Sequence, residues 1–215
     1  LLKPKETIYF TSKKILNNSK NLRVVNIDPL KSPKDYNYFI IYDLFKYINT
    51  SHVLIVQYDG FVINPNKWNK LFFEYDYIGA PFIPRDDNED YCRDTNKNFY
   101  SIGNGGFTFR SKQLLEAPTK YNLKDDYTMT RNHEDGFFSV FHRSLLEKKG
   151  FKWAPYKVAT DFSIEYPLSI PMIFSPPVGF HGKKMLLIYS FLYPYILIYR
   201  SIYLIKDSFI KFFIS

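Results

Sequence analysis

HVLIVQYDGFV, residues 52 to 62, is the stretch on which the fold turns. Val53, Leu54, Ile55 and Val56 run without a polar break, as in a strand buried on both faces, and Gln57, Tyr58, Asp59 and Gly60 follow where the run stops. An acid beside a glycine at a strand end is either a turn former or a group that faces a ligand. The preceding residues weigh on that choice. TIYF (7 to 10), a polar stretch, LRVVNI (22 to 27) and the helical pattern YNYFIIYDLFKYI (36 to 48) alternate strand with helix, which predicts parallel pairing through right-handed crossovers. In such sheets ligands gather outside the carboxyl ends of the strands, which gives Asp59 a functional address.

Downstream, NPNKWNKLFFEY (64 to 75) predicts a short helix after Pro65 with Trp68, Leu71 and Phe72 on one face. YDYIGAPFIP (75 to 84) reads as a buried strand, and the polar residues 85 to 98 as a surface loop of the length that lids have. In SIGNGGFTFRS (101 to 111) a glycine-rich turn feeds a strand with Phe107 and Phe109 on one side and Thr108 and Arg110 on the other. Residues 112 to 117 predict a brief helix. NHEDGFFSVFHRSLLEKKG (132 to 150) predicts a longer one, capped by Asn132, with Glu134 and Asp135 in its first turn and Phe137, Phe138, Phe141 and Leu145 on its apolar face. A proline-rich link then leads to PPVGFHGKK (176 to 184).

A chain of 215 residues suits one domain of ordinary size, and 46% hydrophobic with 20% aromatic residues excludes a disordered one. The net charge of +8 suits nucleic acid, an anionic membrane or a phosphorylated ligand. Because Lys and Arg are scattered, with no basic stripe, nucleic acid is not expected as a partner. Cys92 is the only cysteine, so there is neither an intrachain disulfide nor a Cys-based zinc site. Residues 1 to 20 carry no signal-type apolar core, and the expectation is cytoplasmic chemistry. Residues 185 to 205 are apolar apart from Arg200, broken by Pro194, with tyrosines spread along them and lysines on both flanks. That pattern favours a helix on a membrane surface, or packed on the domain, over a span. The expected division is a domain over 1–184 and a basic-flanked apolar helical tail over 185–215.

Four pieces remain: Gln57-Tyr58-Asp59, Gly103-Asn104-Gly105-Gly106, His133-Glu134-Asp135 and Gly179-Phe180-His181-Gly182-Lys183. Alone, each has a plain structural reading: a turn former, glycines supplying positive φ, acids complementing a helix dipole, a structural histidine. In order and spacing they resemble glycosyltransferases of the GT-A fold, most closely a family of predicted GT-A glycosyltransferase-like domains of largely unknown function whose landmarks are HVLIVQYDGF, YDYIGAPF, GNGGFTFRS, HED and GFHG. The resemblance covers roughly residues 7 to 183. It implies an α/β fold, a Rossmann-related mixed sheet flanked by helices, and transfer of a sugar from a nucleotide-sugar donor to a glycan or glycolipid acceptor.

The resemblance also assigns roles. Asp59 and His181 would hold a divalent cation, Mn²⁺ or Mg²⁺, which neutralises charge growing on the leaving diphosphate. Gln57, Asp59 and Lys183 would bind the donor, Lys183 as a point charge on a phosphate. Asp135 would be the general base of an inverting reaction, with Glu134 beside it on the acceptor sugar. Asn104, Gly105 and Gly106 would receive the acceptor. Two departures stand out: Gln57 replaces the first acid of the usual Asp-x-Asp pair, and only TIYF and LRVVNI precede the Asp59 strand where a GT-A nucleotide half has a further strand and helix. A retaining transferase, a non-catalytic nucleotide- or glycan-binding module and a basic membrane-surface protein are the competing expectations.

Overall fold

The computed structural model describes residues 4–15, 20–83, 92–126, 133–166, 172, 174–194 and 196, and by backbone 210–214. Along the chain come β1 (Glu6–Thr11), β2 (Leu22–Asn26), α1 (Pro33–Tyr38), β3 (His52–Gln57), β4 (Phe61–Val62), β5 (Tyr77–Ile78), β6 (Phe107–Ser111) and α2 (Lys112–Lys120). Helical turns over 134–148, a helix at Tyr156–Phe162, β7 (Ser163–Ile164), β8 (Gly179–Phe180), a helix at Lys183–Leu192 and β9 (Ile210–Ile214) complete a mixed α/β fold.

The apolar run at 53–56 is the buried strand it was expected to be, because its two alternating sets of side chains meet two separate cores. Val53 and Ile55 join Ile8, Phe10, Phe39 and Phe137 on one face of the sheet. Leu54 and Val56 join Phe107, Phe109 and Phe162 on the other. Each such side chain removed from water contributes about 1.5–3 kcal/mol. Ser32 starts α1 by accepting the Asp35 N–H (3.2 Å), Pro33 takes the first helical position, and helical turns continue to Tyr47 as a π turn at Phe39–Asp43 and a 3₁₀ turn at Leu44–Tyr47.

The large sheet has the order β2-β1-β9-β3-β6-β5. β1 and β2 pair in parallel, as expected. β3 does not join them directly. β9 lies between β1 and β3 and is antiparallel to both, so that Phe212 pairs with Ile8 on one side and Ile55 on the other. The alternation of strand and helix reports strand direction, and β1, β2 and β3 do run the same way; it carries no information on a strand arriving from much further along the chain. The helical expectation for 185–215 is met over 185–192 and corrected at 210–214, which is sheet. Among the described residues no helix is long and apolar enough to cross a membrane.

Two helices depart from expectation. Over 64–75 there are two short 3₁₀ turns, Pro65–Lys67 and Lys70–Glu74, because extended backbone at Trp68 and Asn69 interrupts the coil and Asn69 caps the second turn. Trp68 and Phe72 still pack inward, but Leu71 is exposed. Over 134–148 a π turn at Phe137–Phe141 inserts one extra residue, the His142 N–H reaching back to the Phe137 carbonyl. The register beyond it moves by one residue, so Leu146 is buried and Leu145, expected inside, is exposed. Asn132, the expected cap, lies outside the described residues, as do 84–91 of the polar loop and 197–209 of the tail.

A second sheet, order β4-β8-β7, is short, yet it places the site. Pairing of Phe61 with Phe180 and of Ile164 with Phe180 brings the residues after β3, after β7 and after β8 to one point.

Candidate functional site

At the carboxyl end of β3 a cavity of about 440 Å³ opens between the two sheets. Its wall includes Tyr36 and Asn37 of α1, Gln57 of β3, Asn104, Gly105 and Gly106, Glu134 and Asp135, Glu165 after β7, and His181 after β8. Asp59 sits just behind His181 and is buried. Of the residues singled out in the sequence, Gln57, Asn104, Gly105, Gly106, Glu134, Asp135 and His181 are therefore on one wall. Lys183 is exposed at the start of its helix and is not part of that wall.

The glycines serve close approach here, since neither Gly105 nor Gly106 has positive φ. A Cβ on Gly106 would stand 2.1 Å from the His181 ring, and one on Gly105 would stand 2.2 Å from Glu134 Oε1. The ring and the carboxylate thus lie directly against bare backbone. The Gln57 N–H donates to the Gly106 carbonyl (2.9 Å) and locks the glycine loop to the end of β3.

His181 is the centre of one polar group. Its Nε2 is 3.1 Å from Gln57 Oε1 and 3.1 Å from Asp59 Oδ1, and its Nδ1 faces Glu165 Oε1 at 3.6 Å. The Gln57 amide in turn donates to the Tyr36 hydroxyl (2.8 Å). Burial on its own would lower the imidazole pKa, but the Asp59 and Glu165 carboxylates outweigh it and hold His181 up at about 9.

The second group is a buried ion pair. Arg110, fully buried on β6, places Nη2 2.6 Å from Glu134 Oε2 and lies over the ring of Tyr77 at 4.6 Å. Burial pushes the Glu134 carboxyl up to about 7, against the pull of Arg110. Asp135 is oriented by backbone: Oδ2 accepts the Gly105 N–H (3.1 Å) and Oδ1 the Gly136 N–H (2.7 Å).

Tyr36, Asn37, Glu165 and Arg110 are among the wall and support residues that escaped the sequence reading. Tyr36 and Asn37 look like any positions of an amphipathic helix, and Glu165 follows β7 without a motif. Arg110 was placed on the correct face of its strand, but the alternation does not say that this face is buried or that Glu134 is its partner.

A divalent cation fits part of this arrangement. Donors in adjacent positions on an octahedral ion with bonds of about 2.1 Å stand about 3.0 Å apart, and Asp59 Oδ1 and Gln57 Oε1 each lie 3.1 Å from His181 Nε2. Asp59 Oδ1 is also buried, with the His181 ring nitrogen as its neighbour, and a cation between the two would satisfy both. Among the described residues, however, no three His, Cys, Asp or Glu side chains converge on one point, so a third donor would have to be the neutral amide of Gln57.

No curated protein and no solved structure matches the chain. The model of a family described as a protein of unknown function (DUF5672) matches residues 20–181, and the chain belongs to that family.

Proposed function

We propose that this protein is a glycosyltransferase of GT-A type, inverting and assisted by a divalent cation, that moves a sugar from a nucleotide-sugar donor to a glycan or glycolipid acceptor in the cytoplasm at a membrane surface. The observation that carries the proposal is the convergence of Gln57, Asp59, Asn104, Glu134, Asp135 and His181, from four separate segments, on one cavity at a strand's carboxyl end. The co-directional β1, β2 and β3 support a Rossmann-related half behind it. When bound, the cation supplies charge neutralisation at the departing diphosphate.

Asp59 and His181, with Gln57, would hold that cation. Asp135 accepts the proton of the acceptor hydroxyl as its oxygen bonds to the anomeric carbon and the bond from that carbon to the diphosphate breaks, the electron pair leaving with the nucleoside diphosphate. Glu134, kept in place by Arg110, accepts a hydrogen bond from a neighbouring acceptor hydroxyl. Gly105 and Gly106 line the cavity in which the acceptor sugar would lie. Leu187 and Phe191, 75% and 86% exposed and four residues apart on the helix that Lys183 opens, support the membrane-surface part of the proposal.

One observation favours a second reading. With Gln57 in place of an acid and only two conventional ligands, the same cavity would suit a non-catalytic nucleotide- or glycan-binding module. The test is a thermal-shift series with UDP, GDP, CDP and dTDP, with and without Mn²⁺, on wild type, Asp59→Ala and Asp135→Asn. A transferase shows metal-dependent stabilisation by one nucleotide, lost in Asp59→Ala, and sugar-donor turnover lost in Asp135→Asn. Stabilisation without any turnover supports the binding module, and no stabilisation by any nucleotide overturns the transferase and the nucleotide-binding module alike.

A further inference from the structure

We propose that Glu165 is the positioning residue of this cavity, a single carboxylate that ties the glycine-rich loop to His181. The inference rests on the proposed function for its catalytic meaning and on geometry for its existence. The backbone puts Glu165 there: β7 pairs in parallel with β8, and the His181 N–H donates to the Ile164 carbonyl (3.0 Å), so the residue after β7 lies beside the residue after β8. Gly182, in the left-handed region at φ 97°, packs over it; a Cβ there would stand 3.3 Å from Glu165 Cγ.

The carboxylate faces two donors at once. Glu165 Oε2 accepts from Asn104 Nδ2 at 2.5 Å, and Oε1 lies 3.6 Å from His181 Nδ1, on the side of the ring away from Asp59 and Gln57. At its other end the Asn104 amide accepts the Gly106 N–H (3.1 Å), and Gly106 is the residue against which the His181 ring lies. Glu165, Asn104, Gly106 and His181 therefore form a closed ring of contacts. Facing the back of the imidazole, Glu165 is no third ligand at the Asp59 side; it sets how the ring presents Nε2. Only a carboxylate can accept on both sides. An amide of the same shape must turn its NH₂ toward Asn104 or toward the imidazole.

Glu165→Gln therefore separates positioning from packing, because it keeps the volume. In ¹⁵N-labelled wild type, Glu165→Gln and Glu165→Ala at one fixed pH, the Asn104 side-chain amide signal and the exchange rate of the Gly106 N–H are followed, with Mn²⁺ alone titrated by calorimetry. The expected result in Glu165→Ala is a displaced Asn104 signal and Gly106 exchange about 3- to 10-fold faster, as for loss of one hydrogen bond, while Glu165→Gln keeps the thermal midpoint and only one of the two contacts, to Asn104 or to the imidazole. Mn²⁺ affinity falls about 10- to 100-fold. Unchanged Asn104 and Gly106 signals in Glu165→Ala overturn the proposal. If those signals move as expected while wild type takes up no Mn²⁺, the cation part of the proposed function fails and the role of Glu165 in holding the cavity stands.

Discussion

Replacing Arg110 by Met tests the buried electrostatics of the site directly. Arg110 is fully buried and Glu134 is 3% exposed, with 2.6 Å between Nη2 and Oε2, so neither charge has water to fall back on. Met fills the space of the aliphatic stem but leaves the Glu134 carboxylate without its cation. Breaking one side of such a pair costs about 3–5 kcal/mol. Glu134→Gln should cost a similar amount by stranding the guanidinium, whereas Arg110→Met combined with Glu134→Gln removes both charges and should fall well short of the sum, with a coupling of at least ~2 kcal/mol. The effect depends on pH with a definite sign. Burial, opposed by Arg110, raises Glu134 from about 4.5 to about 7, so between those values the folded state holds a proton that the unfolded state has lost, and stability falls as pH rises through that window. Without Arg110 the carboxyl rises further, and the deficit of Arg110→Met should be smaller at mildly acidic pH and grow as pH rises past 7. Urea unfolding of the four proteins at several pH values measures this. Additive single-mutant losses, or a deficit independent of pH, would refute the reasoning.

Gly106→Ala should fold but displace the His181 ring, since its new Cβ meets that ring at 2.1 Å; a loss of about 1–3 kcal/mol and abolished Mn²⁺-dependent nucleotide stabilisation are expected in thermal shift. In the metal-free protein the raised pKa of His181 means that its charge stabilises fully below 6.5 and progressively less as pH rises through about 9. The stability advantage of wild type over His181→Gln should therefore be largest near neutrality or below and shrink in alkaline buffer, as denaturant midpoints will show. Phe212→Pro removes a backbone donor from the strand paired with both Ile8 and Ile55, and a loss of about 3 kcal/mol or more in urea unfolding is expected.

How much of the fold and site was legible depended on the distance over which the physics acts. Residues 53–56 spelled a strand buried on both faces because four consecutive apolar side chains on an extended backbone point alternately to both sides and must find cover on each, and the structure gives each face its own core. The carboxyl end of that strand marked the site for the same local reason. The break in the 134–148 helix was not legible: FFSVF carries an acceptable helical pattern, and the π turn there reflects how Phe137 and Phe138 are both drawn into the core, a tertiary demand. Gly105 and Gly106 were read as turn formers or as part of an acceptor site, while the contacts their missing side chains permit are those of Glu134 and His181 with backbone, which depend on residues far along the chain. Lys183 was carried into the site by its place beside His181, but the positive φ of Gly182 turns the chain before it and leaves the lysine on the surface.

The placement of β9 has a consequence for how the chain reaches its folded state. Val53 pairs with Ile214, so the strand that carries the site acquires one of its two neighbours from a segment made long after it. During synthesis β1 and β3 would emerge early with facing, unpaired edges, and would stay so until residues 210–214 leave the ribosome. Contacts of such sequence separation slow folding, and open strand edges invite pairing with other chains. Termination ahead of residue 210 would thus leave a sheet with a slot in its middle, primed for intermolecular strand exchange, even though every residue of the cavity wall had already been made.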